Sequence, residues 1–184
     1  VEIGFGNGEF LIKNAIARPN ELFIGIEVYL NGIVKVLESI LDFRLKNIML
    51  CNLNSSYFLE AMPHKSVDKI FLINPDPWNK KKHHKRRLMS YKTISLLNKI
   101  IKSKDSIYMT TDSIGYLRDT VNLLSENNDS FDEKFVFSWN GEIFGLNNNH
   151  ENFKNVVCMN MGLKKNSIKN VKYFDKKFGP YGFE

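Results

Sequence analysis

Ile73-Asn74-Pro75-Asp76-Pro77-Trp78-Asn79-Lys80-Lys81-Lys82-His83-His84-Lys85-Arg86-Arg87-Leu88 is the stretch on which the reading of this chain turns. It follows Lys69-Ile70-Phe71-Leu72-Ile73, a strongly apolar run that predicts a buried strand in a parallel sheet. Pro75 and Pro77 then forbid both a longer ladder and an immediate helix, because each removes a donor and restricts the residue before it. Asp76, between them, is therefore held on a stiff turn at the carboxyl end of that strand. From Lys80 to Arg87 every residue is Lys, Arg or His, and the six Lys and Arg side chains equal the whole formal charge of +6, which leaves the rest neutral. A like-charge block of this kind marks an interaction surface. An acid and an aromatic on a rigid turn, joined to a cationic arm, point to chemistry on a polyanion. His83 and His84 have no partners at ligand spacing, so no metal is predicted.

At 184 residues the chain has the size of one domain, and its 43% hydrophobic content suffices for a sizeable core. No apolar run approaches the roughly 18 residues that span a bilayer, and no secretory signal pattern opens the chain. Two cysteines, Cys51 and Cys158, cannot build a disulfide framework, so a cytoplasmic location is expected. The chain starts inside a predicted strand without a Met, and further residues are expected upstream of Val1.

Val1-Glu2-Ile3 runs into Gly4-Phe5-Gly6-Asn7-Gly8 and then Glu9 to Ala17, where apolar positions 11, 12, 15 and 16 fit one helix face before Pro19-Asn20. Strand, glycine loop and helix in that order bring the backbone close to a nucleotide-like ligand. The next strand, Leu22 to Ile26, ends in Glu27, an acid placed to take both hydroxyls of a ribose. Two ligand classes fit this spacing, nicotinamide dinucleotides and S-adenosylmethionine. Glycines at alternate positions, preceded by Glu2, favour the second, because an acid there meets a methionine ammonium but repels a pyrophosphate.

Asn31 to Asp42 has helical periodicity, and Ile48 to Cys51 reads as a strand closing on Asn52-Leu53-Asn54. Asn52 and Asn54 suit either an adenine edge or the cap of a helix starting at Ser55 or Ser56. A strand at Val67–Ile73 delivers the opening stretch. Helix Tyr91–Ile101, strand Ser106–Thr110 ending at Thr111-Asp112, helix Ile114–Glu126 and strand Phe135–Trp139 follow. This alternation predicts an α/β fold with a doubly wound, mostly parallel sheet. Glu2 and its loop, Glu27, Asn52, Asn54, Asp76 and Asp112 all fall at carboxyl ends of strands, where such sheets gather their ligands. Residues 1–139 form the expected core, with 140–184 an extension of the same domain. In that extension Asn147–Asn152 reads as loop, Asn155–Met161 as a last strand, and the lysine-rich Leu163–Glu184 as a flexible tail in preference to a second phosphate-contacting surface.

These residues resemble the bacterial tRNA (guanine-N7)-methyltransferases, which act at guanosine 46 in the variable loop. The matching pieces are Glu2-Ile3-Gly4-Phe5-Gly6-Asn7-Gly8, Phe23-Ile24-Gly25-Ile26-Glu27, Pro75-Asp76-Pro77-Trp78 with Lys80 and Lys82 to Arg87, and Thr111-Asp112. The resemblance covers about Val1 to Trp139, and its specific part is the Pro-Asp-Pro-Trp turn with its basic arm. It implies a class I, Rossmann-like S-adenosylmethionine-dependent methyltransferase with tRNA as partner. It implies further that Glu2, the Gly4, Gly6 and Gly8 loop, Glu27, Asn54 or Asn52, and Asp76 line the S-adenosyl-L-methionine site. Asp76 becomes the catalytic acid, Lys80 and Asp112 substrate contacts, and Lys82, His83, His84, Lys85, Arg86 and Arg87 the RNA-contacting segment. The family's Thr-x-Tyr/Phe-Glu motif near the C-terminus has no match between Asn140 and Glu184.

Guanine N7 carries a free lone pair in the neutral base, so positioning and charge stabilisation are the expected contributions. Asp76 is expected to accept from N1–H and N2–H of the base, with Asp112 sharing that role. Trp78 either stacks on a base or wedges the turn. Methylation of an exocyclic amine and a non-catalytic RNA-binding module are the competing readings. Whether subunits pair is left open.

Overall fold

The structure is a computed structural model and describes residues 1–102, 107–125, 136–139, 142–145 and 156–159. Its strands are β1 (Glu2–Ile3), β2 (Phe23–Ile26), β3 (Ile48–Cys51), β4 (Ile70–Ile73), β5 (Ile107–Thr110), β6 (Val136–Trp139), β7 (Glu142–Gly145) and β8 (Val156–Met159). Its helices are α1 (Glu9–Ala17), α2 (Leu30–Asp42), α3 (Ser55–Ala61), α4 (Tyr91–Ile100) and α5 (Ile114–Ser125), with a 3-10 helix at Lys81–Arg86. One eight-stranded sheet runs in the order β3-β2-β1-β4-β5-β8-β6-β7. Every pairing is parallel except β6 with β7.

β4 lies mid-sheet between β1 and β5, and Ile70, Phe71 and Leu72 are all buried. A strand covered on both faces has no need of alternation, which accounts for its unbroken apolar sequence. Ile70 and Leu72 join a core with Phe58 and Leu59 of α3, Ile94 and Leu97 of α4, and Tyr116 and Leu117 of α5. Phe71 turns to the opposite face, against Phe10 at 4.9 Å and Tyr108 at 5.1 Å. On that side Leu11 and Ile12 of α1 pack with Val36 of α2, Phe5 and Phe23. Helices therefore cover both faces, as the alternation of elements predicts.

Three details differ from the sequence reading. The strand expected over Val67–Ile73 is shorter, and Val67 makes an isolated parallel bridge to Ile101. β7 falls where the periodicity was illegible. β8, the possible last strand, inserts between β5 and β6 rather than extending the edge. The Asn147–Asn152 loop and the Leu163–Glu184 tail lie outside the described residues.

The chain steps outward from β1 to β2 to β3, then crosses back to β4 beside β1 and continues to β5. The strand order thus reverses between β1 and β4, and a crevice opens there at the carboxyl ends of the strands. α2 reaches its rim because Gly32 has no side chain: a Cβ there would stand 1.9 Å from the Gly6 carbonyl oxygen. Gly→Ala inside an open helix is worth roughly 1 kcal/mol in favour of folding. Here the clash with main chain outweighs that gain, since overpacking typically costs about 1–3 kcal/mol. Gly32→Ala should therefore lower the urea midpoint; a raised midpoint would mean the loop has room to yield.

Candidate active site

β1 ends at Ile3, and the next turns favour glycine: Gly4, Gly6 and Gly8 have φ of +74°, +55° and +77°. The Gly4 N–H donates to Ile26 O at 2.8 Å, which holds the loop against the end of β2. A Cβ on Gly4 or Gly6 would meet nothing within 4 Å, so these two face open space. Gly8 differs from expectation, since its Cβ would stand 2.0 Å from Val36 Cγ2. The missing side chain of that glycine makes room for α2.

Glu27, directly after β2, is the organising side chain. Its Oε2 accepts from the Gly6 N–H at 2.8 Å, and its Oε1 from those of Val28 at 2.7 Å and Tyr29 at 3.0 Å. A carboxylate offers about four acceptor positions, so three are filled by main chain and about one stays free. Grasping both hydroxyls of a ribose requires at least one of these bonds to open. Asn52, after β3, donates from Nδ2 to the Glu27 carbonyl at 2.9 Å and so joins the same cluster. Asn54 does not: its Oδ1 accepts from Ser56 N at 2.9 Å and caps α3.

Glu2 is 3% exposed and its Oε2 has no hydrogen-bond partner. Burial pushes its pKa up to about 8, with the charge of Glu27 adding to the rise. An acid in this condition is poised for a cation.

Asp76 is exposed, at the carboxyl end of β4 and across the strand-order reversal from the glycine loop. Its turn is fixed at both ends. Asn74 N–H donates to Thr110 O at 3.1 Å and to Thr110 Oγ1 at 3.0 Å, while that hydroxyl donates back to Asn74 Oδ1 at 3.0 Å. At the other end Pro77 O accepts from Arg87 Nε at 2.7 Å. Asn74 and Trp78 have φ of +46° and +44°, a conformation that is uncommon for Asn and strained for Trp. Asp112 follows β5 beyond Thr111 and is exposed on the neighbouring strand end.

The basic arm is a 3-10 helix whose Lys81, Lys82, Lys85 and Arg86 are exposed, as is Lys80 before it. Arg87 differs from the other cations of the arm: it is 8% exposed, paired with Asp119 of α5 and stacked over the Tyr116 ring at 4.9 Å. His84 is half-buried, with Nδ1 3.5 Å from Asp119. Trp78 sits between Arg86, 5.0 Å above its ring, and His83 at 5.7 Å edge-on, which makes it the wedge of the turn rather than an open platform. Asp119, Thr110 and Gly32 escaped sequence reasoning because each acts through a residue far away in sequence. Only the threonine at a strand end offered a signal.

Among the described residues no three His, Cys, Asp or Glu side chains group to hold a metal ion, and no helix is long and apolar enough to cross a membrane. A separate cavity lined by Val1, Arg18, Leu22, Phe23 and Asp68 lies at the amino ends of the strands and shares no lining residue with the glycine loop, Glu27 or the Asp76 turn.

A parallel sheet with this strand order, a glycine loop after β1 and acids after β2 and β4 defines a class I, Rossmann-like methyltransferase fold. The chain belongs to the family described as "Putative methyltransferase", whose pattern matches residues 1–136. It is 36% identical over 116 residues to a tRNA (guanine-N(7)-)-methyltransferase of Neorickettsia sennetsu, covering 63% of this chain and 54% of that protein. With a Thermotoga maritima protein of the same name it shares 34% over 140 residues, 73% of this chain and 45% of the relative. A bifunctional methyltransferase of Rickettsia bellii is 37% identical over 127 residues, 69% of this chain but 23% of that protein. The chain thus spans about half the length of the first two relatives and about a quarter of the third. Among solved structures, a precorrin-6y C5,15-methyltransferase from Geobacter metallireducens shares the fold at a TM-score of 0.55 with 17% identity, covering 73% of this chain and 63% of that one. The cyclase SpnF shares it at 0.50 with 11% identity, covering 75% and 52%.

The raised pKa of Glu2 gives a stability prediction. The folded state keeps the Glu2 proton at pH values where the unfolded chain has lost it. Stability should therefore fall as pH rises from about 4.5 toward 8, by up to about 1.4 kcal/mol per pH unit for one proton. Glu2→Gln should remove that slope in urea melts across the range; an unchanged slope would assign it to another group.

Proposed function

We propose that this chain transfers the methyl group of S-adenosylmethionine to N7 of a guanosine in tRNA, at position 46 of the variable loop, in the cytoplasm. One observation carries the reading: the Asp76 turn and the glycine loop flank the point where the strand order reverses, and the cationic helix leads directly out of that turn. The names of the relatives in Neorickettsia and Thermotoga support the choice of substrate.

The crevice fits the cofactor. The unpaired, buried oxygen of Glu2 suits the ammonium of a methionine moiety, and the open space over Gly4 and Gly6 admits the chain that bears it. Glu27 takes the ribose with its remaining acceptor capacity, and Asn52 lies at the next strand end toward the adenine. When bound, S-adenosylmethionine supplies an electrophilic methyl group on a cationic sulfur. Asp76 accepts from N1–H and N2–H of guanine, orients the base, and offsets the positive charge that grows on the alkylated ring. Asp112, one strand over, shares that charge, and Lys80 steadies the nucleoside. Lys82, Lys85 and Arg86 bind phosphates, which gives affinity and orientation rather than base selection.

Asp76→Ala should abolish methyl transfer with the fold retained. Borohydride/aniline cleavage of the parent product should map the methyl to N7; a product that resists cleavage would move the reading to an exocyclic amine. Lys82, Lys85 and Arg86 changed together to Ala should weaken tRNA binding and flatten its dependence on salt by about three units of slope or fewer. Cofactor affinity should stay at the parent value, and an unaltered salt slope would place the RNA elsewhere.

A further inference from the structure

From Lys80 to Arg87 a single cation is buried, and it is the last. Arg87 Nε donates to the carbonyl of Pro77, the residue after Asp76, at 2.7 Å. Its guanidinium pairs with Asp119 and lies over Tyr116, itself 1% exposed, whose hydroxyl accepts from the Met89 N–H at 3.1 Å. Asp76 is thus suspended between two anchors, Thr110 on Asn74 and Arg87 on Pro77. A buried guanidinium that serves a carbonyl, a carboxylate and a ring at once is held in one geometry, and lysine cannot reproduce it. Asp119 is half-exposed, so the pair is weak evidence of net stability, and it is the planar fork of the guanidinium that fixes the direction of its contacts. The strained φ of Trp78 also implies surroundings that over-determine this turn.

We propose that Arg87, held in place by Asp119, is a positioning residue for Asp76. It fixes the turn behind the carboxylate and keeps the cationic helix in constant register with it. Arg87 touches neither guanine nor cofactor, and its effect on turnover passes through Asp76. The activity part of this inference rests on the methyl-transfer reading above; the clamp itself does not.

The test uses the full-length protein and the variants Asp119→Asn, Arg87→Lys and Arg87→Met. Asp119 is half-exposed, so Asp119→Asn loosens the clamp with the least risk to folding. Amide hydrogen exchange should speed up about tenfold or more at His83 and Arg87, whose N–H groups donate to Lys80 O and His84 O, with the glycine-loop amides unchanged. In methyl transfer, kcat should fall by up to about 100-fold, as a carboxylate displaced by about 1 Å implies, while KM for tRNA and cofactor affinity stay within a few-fold of the parent. Arg87→Lys should fall between parent and Arg87→Met. Ile94→Val, a change in the α4 core away from the turn, serves as the stability control and should keep its kcat. Unchanged exchange at Arg87 in Asp119→Asn overturns the clamp. Parental kcat despite faster exchange, or kcat losses that follow the thermal midpoint as in Ile94→Val, overturn the positioning role. If the parent protein transfers no methyl group, the reading above fails by itself, and the exchange measurement alone upholds or overturns the clamp.

Discussion

Three main-chain N–H groups converge on the carboxylate of Glu27, one from the loop after β1 and two from the loop after β2. Parallel strands all release their chain at the same edge of the sheet, so neighbouring loops crowd together with unpaired donors. A single acid at the end of the second strand satisfies three of them and binds the two loops into one floor. Asn52 extends that floor to the third strand through the Glu27 carbonyl. The rest of the site is built on this junction: the glycines turn there, Gly32 lets α2 close on it, and the crevice opens above it.

The crevice separates its charges. Glu2, Glu27, Asp76 and Asp112 lie at the strand ends, while the exposed cations lie on the 3-10 helix that follows Asp76. This suits the proposed chemistry, in which a cationic sulfonium and a polyanionic RNA must be received side by side. Exposed cations act over a screened range of about 8–10 Å in ordinary salt, so they steer and hold phosphates without reaching the reacting base. Arg87 stands between the two regions and takes part in neither, since its charge is spent on Asp119 and the Pro77 carbonyl.

Fold alone does not choose this chemistry. The same architecture occurs in a precorrin methyltransferase and in a cyclase, both under 20% identical to this chain. A sheet with a glycine loop supplies a place for a nucleoside-like ligand, and reactions are grafted onto it by a few residues at the strand ends. In the proposed reading those residues are the Pro-Asp-Pro-Trp turn and the arm behind it, the parts that carry the family resemblance furthest.

The sequence by itself determined the alternating strands and helices as far as β6, the glycine turns and the acids at the strand ends. Each is a local matter: period, apolar run length, proline and the left-handed turn are legible within a dozen residues. Local patterns could not say which of two asparagines caps a helix, or that Gly8 answers to Val36. They also could not say that the last arginine of the basic run faces inward, because Lys80 to Arg87 reads as one uniform block of charge. Only the tertiary structure brings α5 under that block, 32 residues further on, where Asp119 meets Arg87. A charge in sequence has no direction; the packed fold decides which cations meet solvent and which are drawn in to hold the turn.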